Sequence, residues 1–240
     1  MKPADARAPR ATDPLDHVEV WIFDLDNTLY PASCDLFAQV HRRIGEFIAR
    51  QLAVDLDTAR QVQHKFFLEH GTTLRGLMTE HGVEPSAFLD FVHDIDVSPV
   101  PPDPSLRASL ERLEGRKLIF TNGSVAHAER VIGRLGVAGQ FEAIVDIAAS
   151  EYLPKPDRRA YDRMIASHRF DPRQAAMVED MAVNLRPAHA LGMTTVWVRT
   201  AHDWAGPKEG EDHVDHRIDD LSDWLAEVVA ARGAAGRAAG

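Results

Sequence analysis

Hydrophobic positions along the chain change their period, and the changes divide it. An apolar and β-branched run over 18–23 stops abruptly at Asp24-Leu25-Asp26, with Asn27 and Thr28 supplying turn chemistry behind it. A continuous apolar run suits a strand buried on both faces. A strand that ends in acids sets them at the carboxyl edge of a sheet, where open α/β sheets bind their ligands. The pattern then turns helical: Leu36, Val40, Ile44, Phe47, Ile48 and Leu52 recur at three- and four-residue steps, as on one amphipathic helix. A second helical segment starts near Asp57, the expected N-cap, and runs through Val62, Phe66 and Phe67. Shorter helical pieces over 74–81 and 85–93 are separated by Gly82. The stretch Pro99-Val100-Pro101-Pro102-Asp103-Pro104 has too much proline for a helix interior or a central strand and reads as a stiff connector.

Past the connector, helices and strands alternate. Helices are expected over 105–113, 125–135, 158–168, 185–191 and 221–229, and strands over 117–120, 143–148, 175–178, 194–198 and 214–218. This alternation predicts an α/β fold, a doubly wound parallel Rossmann-like sheet with right-handed crossovers. The expected organisation is a core of 17–32 and 99–230 interrupted by an all-helical insert over 33–98, with flexible tails at 1–16 and 231–240.

Composition narrows the function. With 240 residues, 45% hydrophobic and 27% charged, the chain has enough apolar surface for one large core and an inserted smaller one. A net charge of −10 argues against a nucleic-acid polymer as partner, since phosphate backbones require a basic surface. Cys34 is the single cysteine, so no intramolecular disulfide can form and a reducing, cytoplasmic location is expected. No apolar run approaches a membrane span and no signal-peptide core is seen, so no membrane partner is expected. Cys34 itself is read as a bystander, and the oligomeric state is left open.

Polar groups fall repeatedly just after a strand. Asp24 and Asp26 follow the first, and Thr121-Asn122-Gly123-Ser124 follows the second. Lys155 stands between Pro154 and Pro156, Glu179-Asp180 ends a later strand, and Asn184 lies one turn beyond. Carboxylates suit Mg²⁺, whereas a hydroxyl, amides and a lysine suit phosphate oxygens. Together they compose a site for an anion and a hard metal.

These residues, in this order, resemble the four motifs of the haloacid dehalogenase superfamily in its phosphatase branch: Asp24-x-Asp26-x-Thr28, Thr121, Lys155, and Glu179-Asp180 with Asn184. The helical insert is similar to that family's C1-type cap. The resemblance implies that Asp24 is the nucleophile, forming an aspartyl phosphate, and that Asp26 carries the proton. It implies Mg²⁺ on the Asp24 carboxylate, the Asp26 main-chain carbonyl and Asp180. Phosphate would be bound by Thr121, Asn122, Gly123 and Lys155, with Thr28, Glu179 and Asn184 in support. Leu185 follows Asn184 where many relatives carry an acid. The acid at position 26 separates this chain from the dehalogenases.

Within the insert, Phe66-Phe67-Leu68-Glu69-His70-Gly71 and Leu74-Arg75-Gly76-Leu77 look like the pyrimidine 5′-nucleotidase group, as does Asp24-Leu25-Asp26-Asn27-Thr28-Leu29-Tyr30-Pro31. That likeness implies a nucleoside 5′-monophosphate such as UMP or CMP as substrate, with Arg75, His70 and Phe67 as candidate contacts. Adjacent Phe66 and Phe67 point in different helical directions, so at least one belongs to a core. Open alternatives are a phosphatase for a sugar phosphate or phosphoglycolate, a phosphomutase and, outside enzymes, a phosphoacceptor signalling domain. The connector and the 27–33 segment are expected to act as hinges. His213-Val214-Asp215-His216 resembles a metal clip, but its place at a strand edge favours a structural role.

Overall fold

Alternate residues of the first strand feed two different cores. In the computed structural model, which describes residues 15–200 and 212–238, strand β1 (Val20–Phe23) points Trp21 and Phe23 into one apolar cluster and Val20 and Ile22 into another. Side chains of a strand alternate between faces, so a strand covered on both sides must be apolar throughout. The same division holds on β2 (Arg116–Phe120), with Ile119 against Leu118 and Phe120, and on β4 (Ala175–Glu179), with Ala176 and Val178 against Ala175 and Met177.

With β3 (Ala143–Val145), β5 (Thr194–Val198) and β6 (His216–Ile218), these strands form a six-stranded parallel sheet in the order β3-β2-β1-β4-β5-β6. Helices α5 (Pro104–Arg112), α6 (Val125–Leu135) and α9 (Leu221–Ala238) contribute to the first cluster, and α7 (Arg158–His168) and α8 (Ala182–Ala190) to the second. The expected α/β fold with a doubly wound parallel sheet is therefore observed.

Four helices stand between β1 and α5: α1 (Leu36–Leu52), α2 (Leu56–His70), α3 (Thr73–His81) and α4 (Pro85–Val92). They have their own core, in which Ile48, Phe66, Leu77, Phe88 and Leu89 pack together. Ile147 and Tyr152, which follow β3, join that cluster, so the insert is seated on the sheet domain by apolar contact.

Several local expectations change. The side chain of Asp55, not Asp57, caps α2 by accepting the Thr58 amide, and Asp57 sits in the first turn. Leu15, assigned to the N-terminal tail, is buried in the first cluster and its carbonyl accepts from Arg232, so the anchored chain begins earlier than residue 17; residues 1–14 lie outside the described residues. At the other end α9 continues through Ala238, where a tail from 231 was expected; its alanine-rich composition favours helix. The strand expected over 143–148 is only three residues long, because Asp146 turns the chain by accepting the Ala149 amide. The suspected clip near β6 is structural: His213 Nε2 lies 2.7 Å from the Ala182 carbonyl and Asp215 binds Thr195.

Candidate active site

Parallel register decides where the chemistry gathers. Phe23 pairs with Ile119 on one side and with Val178 on the other, so β1, β2 and β4 end side by side. The residues that follow them, Asp24, Thr121 and the Glu179-Asp180 pair, therefore meet at one edge, and all four are buried.

Lys155 closes the group from the loop after β3. It is 3% exposed, and its Nζ donates to Asp24 Oδ1 at 2.6 Å, Glu179 Oε2 at 2.7 Å and the Phe120 carbonyl at 2.8 Å, using all three of its protons. The extended Pro-Lys-Pro backbone is pinned by Asn122, whose side-chain oxygen accepts the Lys155 amide at 2.8 Å and whose nitrogen donates to the Lys155 carbonyl at 3.3 Å. The Lys155-Pro156 peptide is cis. Thr28 bridges the first and last motifs: its hydroxyl donates to Asp24 Oδ2 at 2.9 Å and accepts the Asp180 amide at 3.1 Å. Asn27, at φ 61°, makes the tight turn that brings Thr28 back over Asp24.

The carboxylate oxygens of Asp24, Glu179 and Asp180 lie within 4.8 Å of one another. Three buried acids face one lysine, and the excess negative charge shows in the acidities of Asp24 and Asp180. Burial and then the Glu179 charge push Asp24 up to about 7 despite Lys155, and burial with the charges of Glu179 and Asp24 carries Asp180 well above the carboxylate range. Lys155 is raised as well: burial alone would lower it, but the charges of Asp24 and Glu179 outweigh burial and hold it firmly protonated. An all-oxygen, over-negative cluster of this kind fits a hard divalent cation, with Asp24 and Asp180 as the carboxylates to hold it. Glu179 is less available, since Lys155 holds Oε2 and the Met181 amide donates to Oε1 at 3.2 Å.

The phosphate loop departs in detail from expectation. Gly123 donates its amide to Thr121 Oγ1 at 2.9 Å, and the Asn122 side chain is committed to Lys155, which leaves the Thr121 hydroxyl proton as a donor in this loop. Asn184 is buried in α8, where its carbonyl accepts from Tyr161.

Asp26 has a different surrounding, and two of its partners escaped the sequence reading. Its Oδ1 accepts the Tyr30 hydroxyl at 2.7 Å and lies 2.8 Å from His127 Nε2. Burial would raise its pKa, but the charge and hydrogen bond of His127, joined by Tyr30, bring it down to about 2. His93, from the end of the insert, stacks on His127 with ring centroids 4.5 Å apart and an interplanar angle of 10°. Burial followed by the neighbouring His127 depresses His93 to about 3. The cue for His127 is its place three residues after Ser124, the N-cap of a helix that starts at the sheet's edge. A cavity of about 610 Å³ between insert and sheet domain reaches both histidines and Arg43. Another, of about 690 Å³, opens beside the start of β1 and β2, around Glu19, Arg116 and Asp171, and is remote from the acids.

The insert candidates are only partly brought toward the site. Phe66 is core, whereas Phe67 is exposed. His70 binds Glu80 at 3.0 Å and lies edge-on to Phe66, contacts internal to the insert. Arg75 reaches the sheet domain, donating to the Tyr152 carbonyl at 3.4 Å. Gly71 (φ 82°) sits so close to Pro154 that a β-carbon there would come within 3.3 Å of the proline ring, which sets the end of α2 against the Lys155 loop.

The chain is similar to phosphate metabolism protein 8 of Saccharomyces cerevisiae, 26% identical over 87% of this chain and 70% of that protein. It is similar also to the glyceraldehyde 3-phosphate phosphatase of Pyrococcus furiosus, 27% identical over 90% of this chain and 94% of the relative. Its fold matches that of a phosphatase of the same superfamily from Thermococcus onnurineus with a TM-score of 0.60 at 18% identity, covering 90% of this chain and 98% of that one. The family model for haloacid dehalogenase-like hydrolases matches residues 18–192, which contain every motif residue described above, and the chain belongs to that family.

Proposed function

We propose that the protein is a Mg²⁺-dependent phosphomonoesterase that works through an aspartyl phosphate on Asp24. The observation that carries the reading is the buried Lys155 ammonium clamped between Asp24 and Glu179, beside Asp180. A carboxylate cannot approach a phosphate dianion without positive charge beside it. The lysine supplies one such charge. Asp24, Asp180 and the Asp26 carbonyl would hold a divalent cation, which would supply more positive charge and screen nucleophile from phosphate.

Each residue then has a task. Lys155 and Thr28 hold the Asp24 carboxylate by one oxygen each, which fixes its direction of attack. The Thr121 hydroxyl donates to a phosphate oxygen. Asp26 protonates the departing alkoxide and later takes a proton from the hydrolytic water. Alone with His127 and Tyr30 it is an anion at neutral pH. A bound phosphate brings negative charge beside it and raises its proton affinity, so the proton enters with the substrate. An acid at this position favours phosphoester hydrolysis over dehalogenation, since an alkoxide leaving group needs a proton and a halide does not.

For the substrate, nucleoside 5′-monophosphates, with UMP and CMP first, rest on the likeness of the insert to the pyrimidine 5′-nucleotidase group. The four-helix insert over 33–98 acts as a cap, and Arg75, at the junction with the sheet domain, is the best placed of its candidate contacts. A triose phosphate is the second reading, favoured by the archaeal relative matched over nearly its full length. Phosphate release from UMP, CMP and glyceraldehyde 3-phosphate with Mg²⁺ tests both. Turnover is expected for at least one and should vanish with chelator or in Asp24→Asn. Release that survives Asp24→Asn would refute the mechanism, and turnover of the triose phosphate alone would refute the nucleotide assignment.

A further inference from the structure

Both protein contacts on the Asp26 carboxylate fall on the same oxygen. Tyr30 Oη and His127 Nε2 lie 2.7 Å and 2.8 Å from Oδ1, and Oδ2 takes neither. A carboxylate held this way cannot rotate about its Cβ–Cγ bond without breaking two part-buried contacts, so its two oxygens are no longer equivalent.

His127 is built into this position. Its main-chain amide donates to the capping Ser124 Oγ at 3.3 Å, the same hydroxyl lies 3.0 Å from His93 Nδ1, and the His93 ring covers the His127 ring. The imidazole is 1% exposed, and its Nδ1 is buried without a hydrogen-bond partner. A residue present only to fill space would be apolar, for it would not strand a nitrogen in the interior. Among the described residues, the one polar contact that this ring makes is to Asp26.

We propose that His127 is a positioning residue for Asp26: with Tyr30 it commits Oδ1 to the protein and leaves Oδ2 as the oxygen that handles the proton. The proposal rests on the phosphatase reading above. In the first half-reaction the Asp24 O–P bond forms, the P–O bond to the leaving group breaks, and the proton on Asp26 Oδ2 passes to the departing oxygen. In the second the water O–P bond forms, the Asp24 O–P bond breaks, and a water proton returns to Oδ2. His127 gains and loses nothing in either half.

The consequence is selective. An alkoxide cannot leave without a well-aimed proton, whereas p-nitrophenolate can, and kcat/KM reports the steps up to leaving-group departure. The test compares kcat/KM for p-nitrophenyl phosphate with that for the alkyl phosphate the wild-type chain hydrolyses fastest, in His127→Leu and His127→Gln, with melting temperatures alongside. For the alkyl ester, His127→Leu should lose about 10²-fold or more, the scale of general acid catalysis. Its loss on the aryl ester should be at least about tenfold smaller, since proton transfer contributes little there. His127→Gln, which can return an N–H to the Nε2 position, should recover most of the alkyl activity. Equal losses on the two esters, or no rescue by glutamine, would overturn the proposal and leave the phosphatase reading standing. No phosphate release by wild type from either ester would overturn both. If His127→Leu does not fold, Tyr30→Phe, which removes the other contact on Oδ1, must give the same preference for the aryl ester or the proposal fails.

Discussion

Lys155 is the residue on which the site's electrostatics turn. It is buried, with every proton donated, and two of its three acceptors are carboxylates. Replacing it by methionine keeps the volume but leaves Asp24 and Glu179 facing each other unpaired. Breaking one side of a buried ion pair costs about 3–5 kcal/mol, so Lys155→Met should show that loss in chemical denaturation at pH 8, together with loss of turnover. Unchanged stability would mean the ammonium is not seated between the acids. Asp24 gives the pH dependence a definite sign. Its folded pKa of about 7 lies above its ordinary value of 3.8, so the stability linked to its proton is present below pH 4 and lost as pH rises through 7. Asp180 shifts in the same direction. Asp26, lowered to about 2, behaves oppositely and loses stability only as pH falls below its ordinary value toward 2. A cation that binds the ionised acids must displace the proton on Asp24. The rise in melting temperature on adding Mg²⁺ should therefore be larger at pH 8 than at pH 5.5, and an equal or reversed shift would contradict the assignment of the cation to Asp24 and Asp180.

Helices α2 and α3 make closest approach where a glycine allows it. A β-carbon on Gly76 would stand 2.4 Å from Phe66 Cγ, and the Phe66 ring is buried in the insert's core. Gly76→Ala must push that ring aside, an overpacking change costing about 1–3 kcal/mol, measurable as a fall in the denaturation midpoint. A neutral or stabilising result would show that the two helices are not packed this closely. The element scale also shows what the sequence can reveal. Strands β2, β4 and β5 and helices α6 and α7 were legible almost to the residue, because each strand carries a short apolar run and Ser124, Gly136 and Asp157 mark helix ends through their own chemistry. The start of α2 was misplaced because Asp55 and Asp57 are equally good caps in sequence, and only the backbone shows which one meets Thr58. The motif residues announced themselves through their types and their positions after strands. His127 did not, since a histidine in the first turn of a helix gives no sign that its ring will meet Asp26, 101 positions earlier.

At the scale of the molecule, one sheet edge gathers the buried acids, Thr121 and Lys155, and the insert keeps a helical core of its own. The two are joined by the connector to α5, by the 27–33 segment, and by Ile147, Tyr152 and Arg75 at the junction. Strand register brings Asp24, Thr121, Glu179 and Asp180 to one edge, and Lys155 joins them from the loop after β3, pinned there by Asn122. The acid, lysine and threonine motifs were more legible in the chain than any substrate preference, because they follow strands in a fixed order, whereas Arg75, His70 and Phe67 lie on insert helices with no such marker. No helix among the described residues is long and apolar enough to cross a membrane. The central claim is that Asp24 is phosphorylated during turnover. Its most direct test is to quench the full chain with substrate and Mg²⁺, reduce with borohydride, and sequence the peptides by mass spectrometry. The account predicts homoserine at position 24, the product of reducing an aspartyl phosphate. Steady phosphate release with position 24 unmodified, or with the modification on another carboxylate, would contradict it.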